Sequence, residues 1–178
     1  MKQYIQPFDY AGKILQQLPK GVLLTTKAAG KVNSMTIGWG TMGIEWRKPV
    51  FVVYVRENRF TRFHLDRNPQ FTVNVPLGEY DKNILTYCGT HSGAYMDKLA
   101  ELRLTLADGE MVDVPAIREL PLTLECQVLY QQKQVLEALP AEVQHSCYPQ
   151  DIDSTASGAN KDIHIAYYGE IMNAYIIK

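Results

Sequence analysis

The chain has 178 residues, 46% of them apolar, and its 18 Lys and Arg against 19 Asp and Glu leave a formal net charge of −1. That length suits one domain, 1–178, with a sizeable core, and the charge balance lacks the basic footprint of a nucleic-acid binder. No apolar run approaches the roughly 20 residues needed to cross a bilayer, and the opening Met1-Lys2-Gln3-Tyr4-Ile5-Gln6-Pro7 lacks a signal peptide's apolar core; a cytoplasmic protein without membrane or nucleic-acid partners is expected.

Asp9 is placed to cap a short helix running to Leu18, where Pro19 stops it. The β-branched run 22–26, the turn Ala28-Ala29-Gly30 and a second run 32–37 read as a hairpin. Residues 38–48 read as a bend. The run 49–56 is almost wholly apolar, as in a strand covered on both faces. A helical pattern spans 59–67 with Phe60, Phe63 and His64 inward, and Asn68-Pro69 ends it. Phe71, Val73 and Val75 alternate as a strand. Asp81 or Lys82 begins a helix carrying Ile84, Leu85, Tyr87 and Cys88, which Gly89 breaks; a shorter helical piece covers 96–102. Residues 104–115 read as irregular, and 120–130 as a strand by clean alternation. The stretch 131–160 is the least patterned and reads as a long loop with one helical turn. Residues 162–177 close the chain as one long strand or two short ones. Many strands, few helices and no βαβ rhythm indicate a mainly β protein, an antiparallel barrel with helices outside it.

The stretch 33–61 holds the densest chemistry. A strand ends at Arg56-Glu57-Asn58-Arg59-Phe60-Thr61, where two guanidiniums meet a helix start, an arrangement suited to a phosphate. Asn33-Ser34-Met35-Thr36 and Trp39 add polar edges and an aromatic face, so a phosphate at one end and a flat heteroaromatic at the other suggest a nucleotide or flavin. Arg56 and Arg59 can equally be read as a solvated rim, and Trp39 and Trp46 as partly buried core. His164 reads as a hydrogen-bonded barrel histidine.

Gly38-Trp39-Gly40-Thr41-Met42-Gly43 is a literal G-x-G-x-x-G, but no helix opens behind it, so a bend at a barrel corner accounts for it better than a dinucleotide site. Cys88 and His91 lack the further ligands a zinc site needs. Three widely spaced cysteines, Cys88, Cys126 and Cys147, argue against a disulfide framework. Ser92 in Gly89-Thr90-His91-Ser92-Gly93 does not form a nucleophile elbow; it reads as a cap or as a hydroxyl pointed at the phosphate. No metal site and no catalytic side chain is expected.

From about Leu18 to Ile177 the sequence resembles the flavin reductase-like family with an FMN-binding split barrel, and within it the flavoredoxin group. The matching pieces are Gly21-Val22-Leu23-Leu24-Thr25-Thr26, Asn33-Ser34-Met35-Thr36-Ile37 with Trp39, Arg56-Glu57-Asn58-Arg59-Phe60-Thr61 and Val73-Asn74-Val75-Pro76. Tyr87-Cys88-Gly89-Thr90-His91-Ser92-Gly93, Asp97-Lys98-Leu99, Leu124-Glu125-Cys126 and His164 with Gly169-Glu170-Ile171 complete the set. The resemblance implies a six-stranded antiparallel Greek-key split barrel, a homodimer, and FMN in a groove near the subunit interface. Asn33, Ser34, Met35 and Thr36 would line the isoalloxazine; Arg56, Asn58, Thr61 and Lys98 would hold the phosphate, with Ser92 near it. Asn58 stands where relatives often have Ser, and Ala94 where they often have Arg. The implied activity is hydride transfer from NAD(P)H to flavin N5, then electron transfer to a flavin, a redox protein or oxygen. With no nicotinamide fingerprint in the sequence, NAD(P)H would dock by stacking on the flavin. The alternatives are a flavoredoxin-like electron carrier without efficient small-molecule turnover, and, further off, a pyridoxamine-phosphate-oxidase-type use of the barrel or an FMN store.

Overall fold

The structure, a computed structural model, describes residues 1–152 and 161–178. Its strands in chain order are β1 (Lys2–Tyr4), β2 (Val22–Ala28), β3 (Lys31–Ile37), β4 (Gly40–Glu45), β5 (Lys48–Arg56), β6 (Gln70–Val75), β7 (Leu106–Ala107), β8 (Ala116–Ile117), β9 (Leu122–Lys133) and β10 (His164–Ile177). The helices are α1 (Ala11–Gln17), α2 (Phe60–Leu65), α3 (Lys82–Thr90), α4 (Lys98–Glu101) and α5 (Ala141–Cys147).

Eight strands form one antiparallel sheet in the order β3-β2-β6-β9-β10-β5-β4, with β1 also paired to β10; β7 and β8 form a separate pair. The edge strands β3 and β4 lie at opposite ends of this path, yet only Gly38 and Trp39 separate them in the chain. The sheet must therefore curl until its edges approach at that corner. Among the described residues no ladder joins them, so the barrel is split as expected: the six consecutively paired strands β3, β2, β6, β9, β10 and β5 carry it, and β4 and β1 extend it.

Strand periodicity sorts the two faces. Leu24, Phe51, Val53, Phe71, Val73, Leu124 and Tyr167 point inward into one buried cluster. The residues between them on β2, β3, β6 and β9 point outward, yet they too are buried. Ser34 Oγ donates to Thr25 Oγ1 at 2.8 Å, Thr25 Oγ1 to Asn74 Oδ1 at 3.0 Å, and Asn74 Nδ2 to Thr123 Oγ1 at 3.2 Å, so this polar seam satisfies itself. Beside it Leu23 meets Ile84, Leu85 and Cys88 of α3 and Leu99 of α4, which fixes those helices on the outer face. α3 starts where expected: the Asp81 carboxylate accepts from the Asn83 amide at 2.9 Å.

The β2–β3 hairpin turns at Ala29 and Gly30, both with positive φ, as a two-residue turn requires to match strand twist. The bend expected over 38–48 is instead β4 and a second two-residue turn. β4 shows no alternation because it is an edge strand with Thr41, Gly43, Ile44 and Glu45 exposed. Its turn uses Trp46 and Arg47 at φ 50° and 62°, an uncommon conformation for side-chain-bearing residues. Trp46 there packs on Tyr130 and Tyr168, with ring centroids 6.3 and 6.1 Å away.

Asp9 is not a cap: it lies in a 3₁₀ turn, Pro7–Tyr10, ahead of α1. Phe63 is exposed rather than inward, because α2 spans only six residues and buries Thr61, His64 and Leu65. α3 runs through Gly89 to Thr90. The stretch read as a loop, 131–160, carries the end of β9, a 3₁₀ turn at Leu136–Ala138 and α5; residues 153–160 lie outside the described residues. β10 is one continuous strand with register shifts against β9 at Tyr168/Gly169 and Ile171/Asn173. A Cβ on Gly169 would lie 2.5 Å from Phe71 Cζ and 3.0 Å from Cys126 Cβ, so only glycine lets the strand approach the core there.

Candidate functional site

Two cavities adjoin along the open edge of β3. The first, ≈ 350 Å³, lies between β3, the start of α2 and the loop leading into α4. Of the residues singled out in the sequence it is lined by Asn33, Met35, Thr36, Asn58, Arg59, Thr61, Ser92 and Lys98. The second, ≈ 180 Å³, shares Met35, Thr36 and Arg59 and adds Trp39, Arg56 and His164. The eleven expected residues are thus divided: Arg56 and Trp39 lie at the second cavity, away from Lys98. Ser34 lines neither, since its place in the strand turns its hydroxyl into the outer polar seam.

The first cavity presents polar groups with no protein partner of the right kind. Lys98 is 4% exposed, and its Nζ donates to the Cys88 carbonyl at 3.2 Å. No carboxylate among the described residues lies within ion-pair distance of it. Burial pulls its pKa down, Cys88 pulls it partly back, and Arg59 lowers it further. A buried ammonium without a counter-charge is costly; an anion in the cavity removes that cost. Asn33 Nδ2 donates to Thr61 Oγ1 at 3.0 Å, while its Oδ1 is buried with no partner among the described residues.

The wall opposite β3 is the loop 91–97, held by Lys31 Nζ donating to the Gly93 carbonyl at 2.6 Å. A Cβ on Gly93 would fall 2.0 Å from Asn33 Oδ1, so the loop can close on β3 only with glycine there. Phe60, Phe63, Cys88, Gly89, His91, Gly93, Ala94 and Tyr95, none of them among the expected site residues, also line the cavity. Several fall in the segment 87–93, whose glycines on either side of His91-Ser92 were the available signal. His91 is stacked on Tyr87, centroids 3.9 Å apart, and burial pushes the Cys88 thiol up. With only six residues, α2 adds little dipole of its own, so the cationic character rests on side chains.

The second cavity is different in kind. Arg56 donates to the carbonyls of Asp162 at 2.6 Å and Cys147 at 2.9 Å, and its guanidinium lies 5.0 Å from the Tyr148 ring centroid. Tyr148 Oη is 2.7 Å from His164 Nδ1. Burial, reinforced by Arg56, holds the His164 imidazole down to about 4, so it is neutral at pH 7. The barrel-histidine reading is thus right about the hydrogen bond, but the same ring also borders a cavity. Trp39, 44% exposed, stands 4.7 Å from the His164 ring. Among the described residues no group of three or more His, Cys, Asp or Glu is placed to hold a metal ion, and no helix is long and apolar enough to cross a membrane.

The fold is a split barrel, with a cavity lined by Arg59 and Lys98 along one open sheet edge. Residues 15–176 match the family described as flavin reductase like domain, and the chain belongs to that family. An uncharacterized protein of Archaeoglobus fulgidus is 32% identical over 111 residues, a match spanning 62% of each chain. Among solved structures, the flavoredoxin of Desulfovibrio vulgaris (Miyazaki F) superposes with a TM-score of 0.65 at 23% identity, over 89% of this chain and 69% of that one. A flavoredoxin from Methanosarcina acetivorans gives 0.63 at 26% identity, over 89% and 68%. An FMN-binding domain of a flavin reductase-like enzyme from Shewanella baltica OS155 gives 0.63 at 16% identity, over 99% and 77%.

Proposed function

We propose that this chain is an FMN oxidoreductase that accepts hydride from NAD(P)H and passes the electrons to a flavin, a redox protein or oxygen. The observation that carries the reading is Lys98, a buried ammonium lining a cavity with no carboxylate among the described residues to neutralise it. The residues present fit FMN: Lys98, with Arg59, Asn58, Thr61 and Ser92 around the same cavity, suits a phosphate, and the unpartnered Asn33 Oδ1 suits a hydrogen-bond donor of the ligand. When bound, FMN supplies the hydride-accepting and electron-releasing chemistry. The chain's own task is to bind and orient it: Asn33, Met35 and Thr36 border the groove along β3, and Trp39 offers an exposed aromatic face at its far end. Arg56 contributes positive charge from the second cavity. No protein acid or base is required for hydride transfer.

One domain over 1–178, a homodimer in which the groove lies near the subunit interface, and a cytoplasmic location complete this reading. Its test is anaerobic addition of NADH or NADPH to the FMN-loaded protein. Loss of flavin absorbance is expected, and unchanged absorbance with both removes the reductase assignment. The 26% identity to the Methanosarcina flavoredoxin favours a second reading, an electron carrier without efficient small-molecule turnover. Comparing turnover of free FMN and FAD with electron exchange to a redox protein separates the two.

A further inference from the structure

The segment between β9 and β10 folds back on its own root. Gln134 follows β9 directly, and its amide donates to the His164 carbonyl at 3.0 Å. Fourteen residues later Tyr148 returns to the same place. Its Oη donates to Gln134 Oε1 at 2.8 Å and lies 2.7 Å from His164 Nδ1. Tyr148 is 2% exposed and His164 7%, so the Tyr148–His164 bond is buried, while Gln134 is half-buried. A phenol has one proton. If Gln134 takes it, the His164–Tyr148 bond must use the proton on Nδ1, and Nε2 of the neutral ring is left as an acceptor.

We propose that Tyr148 is a positioning residue for the second cavity: it holds His164 as the Nδ1–H tautomer, so that the cavity accepts a flat ligand presenting an N–H or O–H donor to Nε2. The exposed face of Trp39, tilted 42° to the imidazole at 4.7 Å, suits such a planar group. Burial, reinforced by Arg56, which is paired in register with His164 on the neighbouring strand, keeps the imidazole from protonating and so preserves the acceptor. Arg59, at the start of α2, acts in the same sense, and Asp162, just before β10, opposes them. The geometry fixes the tautomer whatever fills the first cavity. Identifying the ligand as the electron donor or acceptor rests on the flavin reading above.

The test is ¹⁵N-histidine NMR on the full chain loaded with FMN, whose retention is read separately from flavin absorbance. A chain that retains no FMN defeats the flavin reading, while the tautomer is still measured on the same sample. The wild type should show His164 with a protonated Nδ1 and a bare Nε2. Gln134→Leu frees the phenol proton to be donated to Nδ1 and should switch the ring to Nε2–H, whereas Gln134→Glu, an obligate acceptor, should leave it unchanged. Tyr148→Phe should also release the Nδ1–H preference; the two Gln134 variants keep the test decisive if that protein fails to fold. Nicotinamide, which carries an amide donor, should shift the wild-type Nε2 resonance, and methyl nicotinate, which does not, should leave it in place. A wild-type Nε2–H ring, a tautomer indifferent to Gln134→Leu, or equal responses to the two probes overturns the proposal.

Discussion

The two cavities share Met35, Thr36 and Arg59 but settle their polar groups in opposite ways. In the first, a buried ammonium lacks a counter-charge, and a buried amide oxygen lacks a donor, among the described residues. In the second, Arg56, Tyr148, Gln134 and His164 are bonded to one another or to carbonyls of the chain. One site leaves its charge for a ligand to meet; the other ties its guanidinium to the chain's own carbonyls and leaves only a neutral acceptor, His164 Nε2. The contrast separates residues whose loss weakens binding from residues whose loss alters shape or protonation.

The largest effect belongs to the self-satisfied cavity. Above pH 6.5 His164 is neutral in both folded and unfolded chains; as pH falls toward 4, only the unfolded chain takes up the proton. Folding stability should therefore fall by about 3 kcal/mol between pH 6.5 and 4, read as a drop in urea midpoint, and His164→Gln should flatten the curve. His64, also pushed down by burial, adds to the slope in the same direction. A profile that is level over this range breaks the contrast from one side.

Next comes the demand left open. Lys98→Met should weaken FMN binding by about 1.5–3 kcal/mol, measured by flavin fluorescence titration. The same change should raise the melting temperature of the flavin-free protein, because it removes a buried, uncompensated charge. Unchanged affinity would relocate the phosphate. Gly93→Ala drives a methyl into Asn33 Oδ1 and should cost about 1–3 kcal/mol of stability, seen in thermal denaturation. Arg59→Ala is the mildest: its side chain is exposed at the rim of both cavities, so a loss below about 1 kcal/mol of FMN affinity is expected.

The barrel was legible because most of its strands advertise themselves. Phe71, Val73 and Val75 alternate, the run 49–56 is apolar throughout, and Ala28-Ala29-Gly30 marks a hairpin. β4 was not legible, since an edge strand leaves most of its side chains in water and needs no pattern. Asn33, Asn58, Arg59, Thr61, Ser92 and Lys98, singled out from four short motifs, all line the first cavity. Arg56 and Lys98 were expected together because the family resemblance put both on one phosphate; nothing local in the sequence shows that Arg56 is committed to the carbonyls of Cys147 and Asp162. Tyr148 escaped notice for the same reason. Its partner His164 is 16 residues away across an unpatterned stretch, and only the fold brings them together.

The seam of hydroxyls and amides running from Ser34 through Thr25 and Asn74 to Thr123 also governs how the chain can go wrong. Sliding β2 by one position against either neighbour would swap its faces, driving Thr25 into the oily interior and exiling Leu24 from it. Each misaligned arrangement would leave polar atoms dry and unmatched, a penalty that grows with every strand recruited. The seam thus works as a proofreading device during assembly, favouring the one alignment in which the groove beside β3 is formed.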